Sequence, residues 1–330
     1  MRKITRKSRM YRGKRKFSYY HRDVRITDKS ILKDIERIRI PPAWNNVEIN
    51  LSKNADRLAI GTDEAGRKQS IYNQKFVLKN RKERMCKIAR FIEELPSIRR
   101  RVDKDIRSEF RRTRAIATII KMMDTCCPLR IGNDVYRRRY KTYGLSTLER
   151  KHMAITRDKI KIRFVGKKHM INERDIPRVG NEAVYESLVF FYKSARRIRG
   201  IDGKYWTPIF THCSKTLTNC DINDYLGDFS AKDFRTLRAN LELLRALGLE
   251  GGYKTKTEMV KKRNRALDIA SSILNNTRAI CRSNYVLKPI LTMYEQRPKS
   301  LMIRIARTSN MESVLHGLLM ECSRKRANNF

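Results

Sequence analysis

The sequence predicts an α+β protein, with a small β-rich N-terminal domain followed by a larger, mainly α-helical domain that carries a β-hairpin. Three observations lead there. Short β-type runs between Ile40 and Tyr72 are split by the turn string Asp63-Glu64-Ala65-Gly66. From the basic stretch at residues 78–90 onward, apolar residues recur at helical spacing. Within that helical region, Ile160, Ile162 and Phe164 alternate with Lys161 and Arg163 ahead of Gly166-Lys167-Lys168, a strand leading to a lysine-tipped turn. The boundaries drawn on this basis are a basic arm over 1–25, the β-rich domain over 26–84 and the helical domain over 85–330.

In chain order, residues 1–25 interleave Lys and Arg with Tyr11, Phe17, Tyr19 and Tyr20, which reads equally as a phosphate-tracking arm or a solvated tail. After the turn at residues 63–66, Arg67, Lys68, Gln69 and Tyr72 follow on one strand, where alternate residues share a face. Beyond Pro96, the residues Ile98, Val102, Ile106 and Phe110 form a stripe at every fourth position, and Arg99, Arg100, Arg101, Arg111 and Arg112 fall on other faces. Residues 181–275 look mostly helical, with Tyr205 and Trp206 as packing residues. A helix through Ala266–Leu274 is ended by Asn275-Asn276, and Thr277 caps the next turn.

With 330 residues and 40% hydrophobic content, the chain has material for a real core. Its 76 Lys+Arg against 34 Asp+Glu leave a formal charge of +42, spread along the chain, which favours a polyanionic partner. An architectural nucleic-acid binder is the plain reading of charge alone. The seven cysteines (Cys86, Cys126, Cys127, Cys213, Cys220, Cys281, Cys322) show no C-x-x-C spacing, so neither a disulfide framework nor a zinc site is expected. No apolar run approaches a membrane span, and the expectation is an intracellular protein of a reducing compartment, without a membrane partner.

The candidate chemistry lies in a scattered basic set, Arg130, Lys167 and Arg235, followed by Tyr285 behind Asn275-Asn276-Thr277-Arg278. Cleaving a phosphodiester builds negative charge on the nonbridging oxygens and on the departing sugar oxygen. The five histidines (His21, His152, His169, His212, His316) are isolated and no carboxylates cluster at metal-ligand spacing, so no metal is expected as cofactor, and because a covalent phosphotyrosine would conserve the bond energy no ATP is expected either. Guanidiniums stay charged and meet phosphate bidentately. A lysine at a hairpin tip can protonate a leaving alkoxide, and a phenol, ionising near pH ~10, is both attainable as a nucleophile and a good leaving group. Taken singly, each residue has a plain alternative: a packed tyrosine, a solvated arginine, a turn lysine, a helix cap.

Six blocks in order carry a resemblance. They are Ile40-Pro41-Pro42-Ala43-Trp44, Gly61–Tyr72, Leu129–Asn133 with Tyr143–Leu148, Phe164–Lys167, Lys232–Thr236, and Asn276–Tyr285. Together the chain resembles the small type IB DNA topoisomerases of poxviruses, other large DNA viruses and some bacteria. The resemblance implies a C-shaped clamp in which the β-rich domain closes over double-stranded DNA against a catalytic domain like that of tyrosine recombinases, and a protein that works as a monomer. It implies that Tyr285 forms a 3′-phosphotyrosyl link, that Arg130 and Arg235 hold nonbridging oxygens, and that Lys167 is the general acid. Relaxation then proceeds by strand swivelling and religation. Asn276 falls at a position that is commonly histidine and is asparagine in bacterial members, a neutral donor to a phosphate oxygen. Arg67, Lys68, Gln69, Tyr72, Asn133 and Tyr136 are the implied DNA contacts.

Ser70 stands where relatives usually have tyrosine, Leu237 where they have an aromatic, and Asn275 and Arg278 where they have glycine and proline, while Lys168 doubles Lys167. Two other readings compete: a tyrosine recombinase, disfavoured because Phe234-Arg235-Thr236-Leu237-Arg238 lacks the Arg-His-x-x-Arg histidine, and a catalytically inactive architectural DNA binder. The expected setting is a virion or viral factory for a viral protein, and otherwise a nucleoid or nucleus.

Overall fold

A computed structural model describes residues 3–200, 202–212 and 215–327, so Cys213 lies outside the described residues. The chain divides into two compact units, Met1–Arg84 and Met85–Phe330.

The first unit is built on an antiparallel six-stranded sheet. Its strands are β1 (Lys3–Tyr11), β2 (Lys14–His21), β3 (Val24–Arg25), β4 (Asn45–Asn50), β5 (Arg57–Thr62) and β6 (Lys68–Tyr72), in the order β3-β2-β1-β4-β5-β6. Helix α1 (Lys29–Arg37) starts where the Asp28 carboxylate accepts the Ser30 and Ile31 amides. Ile35 of α1 packs with Ile4, Val47, Ile49 and Ala59 of the sheet, and Trp44 and Ile71 border them. The expected arm over residues 1–25 is therefore corrected to three strands. Ile4 is 2% exposed and pairs with Ile49, so burial of one isoleucine pins the basic segment into the sheet.

The second unit is mainly helical. Helix α2 (Gln74–Asp105) enters it from Met85 onward, and α3 (Arg111–Thr125) and α4 (Asp134–Tyr140) follow. A three-stranded antiparallel sheet comes next: β7 (Met153–Ile155), β8 (Lys159–Val165) and β9 (Ile171–Pro177). After α5 (Glu182–Ser194) and two pairs of two-residue strands come α6 (Asn219–Leu226), α7 (Ala231–Glu250), α8 (Lys256–Ile273), α9 (Arg278–Asn284), α10 (Lys288–Gln296), α11 (Pro298–Ala306) and α12 (Met311–Ala327). Among the described residues no helix is long and apolar enough to cross a membrane.

Pro96 does not break α2. The one lost backbone bond is outweighed by the continuous buried stripe Phe91, Leu95, Ile98 and Val102 on either side of it. The stripe stops short of Phe110, which is 78% exposed because α2 has already ended and Phe110 sits at the start of α3. Arg99 is not on a solvated face, since its guanidinium bridges Asp124 of α3 and Glu312 of α12 at 2.7–3.1 Å.

Phe91 joins α2 to α7. Its ring meets Phe229 at 5.0 Å and Phe234 edge-on at 4.8 Å, with none of it exposed. Phe234 precedes Arg235, so this packing sets the helix that carries the buried arginine. Phe91→Ala is expected to cost about 3–5 kcal/mol, measured as a lowered urea midpoint at unchanged m; a change below about 1 kcal/mol would show that the contact does not fix α7.

Candidate active site

A cavity of about 600 Å³ in the second unit is lined by Arg130, Lys167, Arg235, Asn276 and Tyr285, all five of the residues expected to carry the chemistry. Lys168 and Lys232 also face it, and among the described residues no aspartate or glutamate does. A wall with five cations and no carboxylate is built for an anion.

Arg130 lies in the extended link between α3 and α4. Its carbonyl accepts the Leu145 amide at 2.9 Å, so the 142–147 loop folds tightly back on it. That approach requires two glycines. A Cβ on Gly144 would sit 2.6 Å from the Arg130 carbonyl oxygen, and one on Gly132 would sit 2.1 Å from Thr147 Oγ1. The same loop reaches the hairpin through the Tyr143 amide, which donates to Val165 at 2.8 Å.

The hairpin β8–β9 buries Ile160, Ile162 and Phe164 and turns Lys161 and Arg163 outward, the alternation visible in the sequence. Lys167 opens its tip, a tight turn in which Lys168 and His169 take φ of 61° and 57°. Both lysines are exposed and both line the cavity. Below the tip, Asn275 donates to the Ile171 carbonyl at 2.8 Å and to Asn172 Oδ1 at 3.0 Å. Arg174 donates to the Ser272 and Ile273 carbonyls at the end of α8, at 3.1 and 3.0 Å. Asn275 takes a φ of 50°, in the left-handed region that asparagine tolerates better than most side chains other than glycine. Here its amide adds a latch between hairpin and turn that glycine lacks.

Arg235 is 3% exposed in the second turn of α7. Its guanidinium donates to the Pro128 carbonyl, to the Leu274 carbonyl at 3.2 Å and to the Tyr285 hydroxyl at 3.4 Å. Burial lowers its pKa, and the Tyr285 hydroxyl works against that shift. Arg130 donates to Asn276 Oδ1 at 3.3 Å. Because arginine has only donors, the other Asn276 atom is the amide nitrogen, which is buried without a partner among the described residues. An unmet buried donor costs about 1–3 kcal/mol until an acceptor arrives.

Tyr285 follows α9, which Thr277 caps through the Ile280 amide at 3.3 Å. It is 3% exposed, and burial pushes its phenol up. The charges of Arg235 and Arg130, the Arg235 hydrogen bond and the Lys232 charge outweigh burial, so the net shift is downward.

Sequence reasoning missed two residues of this site. Lys232 lies one turn before Arg235, and that three-residue spacing on a helix was the available signal. Asn240, fully buried in α7, donates to the Tyr285 carbonyl at 3.0 Å and accepts the Leu287 amide at 2.8 Å, which fixes the backbone on both sides of Val286. A lone asparagine in an apolar helical run was its only trace.

The expected DNA contacts lie elsewhere. Asn133 caps α4, accepting the Val135 and Tyr136 amides at 2.9 and 3.3 Å, and Tyr136 is 53% exposed on that helix; neither lines the cavity. In the first unit, Lys68, Ser70 and Tyr72 share one face of β6 while Gln69 shares the other with Ile71. Arg67 and Gln69 both bond Asp63, and the Arg67 hydrogen bonds hold that carboxyl down at about 2. Tyr72 is exposed and stacks on Phe76 at 5.4 Å. Among the described residues no group of three or more His, Cys, Asp or Glu is placed to hold a metal ion.

The family profile described as eukaryotic DNA topoisomerase I, catalytic core, matches residues 73–312, and that of the bacterial DNA topoisomerase IB N-terminal domain matches residues 16–63. The chain is 30% identical over 304 residues to DNA topoisomerase 1B of Acanthamoeba polyphaga mimivirus, covering 86% of each protein. It is 31% identical over 160 residues to DNA topoisomerase 1 of Mycosarcoma maydis, covering 44% of this chain and 15% of that protein. Against DNA topoisomerase 1B of vaccinia virus (strain Copenhagen) it is 25% identical over 150 residues, covering 44% and 48%.

The environment of Tyr285 predicts how it titrates. The phenolate absorbance lost in Tyr285→Phe is expected to appear with a midpoint below the ordinary phenol value of about 10, and Arg235→Met is expected to move that midpoint up. Coincidence with the bulk tyrosines in both proteins would mean the two guanidiniums do not act on the phenol.

Proposed function

This chain belongs to the type IB DNA topoisomerases, enzymes that relax DNA by transient single-strand cleavage, and from that membership and the geometry around Tyr285 we infer the division of labour within its cavity. Tyr285 is the nucleophile. Its phenolate oxygen, the phenol proton having passed to solvent, attacks the scissile phosphorus, the bond to the 5′-oxygen breaks, and a 3′-phosphotyrosyl link and a free 5′-hydroxyl result. Arg130 and Arg235 carry the charge that develops on the nonbridging oxygens, and the unpartnered Asn276 amide supplies a third donor. Lys167 gives a proton to the departing 5′-oxygen, and the reverse sequence reseals the strand. The covalent link conserves the energy of the broken bond, so ATP has no task in the cycle, and fixed cations take the place that a metal fills in many phosphodiesterases.

The observation that carries this reading is the contact of a buried guanidinium with the Tyr285 hydroxyl in a cavity that no carboxylate lines among the described residues. It gives the nucleophile an electrostatic reason to ionise and the phosphate a reason to bind. We assign Arg67, Lys68, Gln69 and Tyr72 of the first unit, with Asn133 and Tyr136 of the second, to the DNA around the cut. In this reading the two units act as a C-shaped clamp on double-stranded DNA, and the protein works as a monomer.

The test is supercoiled plasmid incubated with pure protein in chelator and without ATP. Stepwise relaxation is the expected result; site-to-site recombination or gel retardation alone would overturn the reading. Tyr285→Phe should lose the covalent adduct and keep salt-sensitive binding. Arg235→Ala should slow single-turnover cleavage roughly 10²–10³-fold. A 5′-bridging sulfur, a better leaving group, should rescue Lys167→Ala but not Arg130→Ala; equal rescue of both would show that the acid is misassigned.

A further inference from the structure

We propose that the β1–β2 ribbon is a second DNA-docking surface, separate from the cavity, which seats in a groove of the duplex. Strand β1 pairs with β4 only over Lys3–Thr5, yet it pairs with β2 as far as Tyr11, and β2 meets β3 only at Tyr20 and His21. Residues 7–18 therefore form a two-stranded ribbon that runs past the sheet. Arg12 and Gly13 close it with φ of 48° and 72°, the doubly positive turn whose twist matches a hairpin. The N-terminal family match begins at residue 16, after β1 and this turn.

The register gives the ribbon two unlike faces. On one face, Arg6 and Arg15 are committed to the first unit: Arg6 donates to the Pro41 and Trp44 carbonyls at 3.1 and 2.6 Å, and Arg15 to Pro42 at 3.1 Å. That face anchors the ribbon. On the other, Lys7 and Arg9 lie opposite Ser18 and Lys16, interleaved with Tyr11 and Tyr20. Lys7 sits 4.6 Å over the Tyr20 ring and Lys16 4.4 Å over Tyr11, which Arg12 also approaches at the tip, at 5.4 Å. Among the described residues Arg9, Arg12 and Lys16 have no carboxylate partner, and Lys7 has only Asp23 at 3.9 Å.

Cations without acids, held on a stiff scaffold beside flat rings, fit a nucleic acid: the charges meet phosphates and the rings meet sugars or base edges. A two-stranded ribbon has the width that the major groove admits, about 12 Å. A membrane is the poorer partner, because beyond Met10 and Tyr11 the ribbon offers no apolar face to bury among acyl chains.

The proposal takes from the family only that DNA is the substrate, and its test does not need cleavage. Full-length wild type and the triple variant Arg9→Ser/Arg12→Ser/Lys16→Ser are titrated with a fluorescent duplex over a range of salt. Each lost phosphate contact should lower the slope of log affinity against log salt by about 0.9, roughly 2–3 in all. Single-turnover cleavage at saturating protein should not change, and Tyr285→Phe with an intact ribbon should keep the full slope. Arg9→Gln alone, expected to remove about one unit of slope, stands in where the triple variant does not fold. An unchanged slope in a folded variant overturns the proposal, as does a loss of affinity for anionic vesicles or single-stranded RNA with duplex binding intact. Failure of the wild type to relax plasmid, alongside the expected fall in slope, would instead sink the catalytic reading and leave the docking surface standing.

Discussion

A guanidinium buried without a carboxylate is the constraint around which the second unit is organised. Desolvating Arg235 is costly, and the fold offsets that cost with the carbonyls of Pro128 and Leu274, two groups free because one lies in an extended link and the other at a helix end. These carbonyls are not incidental to the site. Pro128 is two residues from Arg130, and Leu274 is two residues from Asn276. Solvating one arginine by backbone therefore brings the three chain segments that carry Arg130, Asn276 and Arg235 into register. The phenol of Tyr285 completes the shell, and Asn240, a turn further along α7, grips the Tyr285 backbone from the same helix.

The hairpin is tied to this frame at its base and exposed at its tip. Asn275 and Arg174 fix β9 to the end of α8, and the Tyr143 amide fixes the end of β8, but Lys167 and Lys168 extend beyond these bonds into solvent. In the proposed cycle, the groups that meet charge in fixed geometry are thus the packed ones, whereas the lysine side of the cavity is exposed. A proton donor tolerates such exposure better than an oxyanion clamp does, because it acts only once the leaving oxygen is in reach.

Local signals made part of this legible. The period-two alternation over Ile160–Phe164 gave the hairpin, and the Asn275-Asn276-Thr277 string marked where one helix ends and the next begins. The basic start of the chain was misread as an arm because charge is a poor guide to pairing: one buried isoleucine decided the register, and its partner Ile49 is far away in sequence. Phe110 kept the helical period but not the helix, since periodicity cannot see a chain that has already turned. Asn240 and the glycine pair Gly132 and Gly144 owe their roles to contacts between segments, which one sequence does not display. Arg130, Lys167, Arg235 and Tyr285 stood out by residue type and local context, the role of Asn276 came only through resemblance, and the convergence of all five on one cavity is a property of the fold.

Net charge alone would spread candidate binding sites over the whole molecule. What separates the surfaces is how each cation is spent. Arg99, Arg137, Arg138, Arg263 and Arg265 are paired to carboxylates within the second unit, where they join helices or steady a turn. In the cavity wall, Arg130, Lys167, Lys168, Lys232 and Arg235 have no carboxylate partner among the described residues, and the same holds for Arg9, Arg12 and Lys16 on the ribbon. Packing cations together without acids raises the energy of the unliganded protein, a cost that a phosphate backbone relieves on binding. Charge left without a carboxylate partner, rather than the excess of +42, is what distinguishes a surface shaped for a polyanion from one that is merely basic.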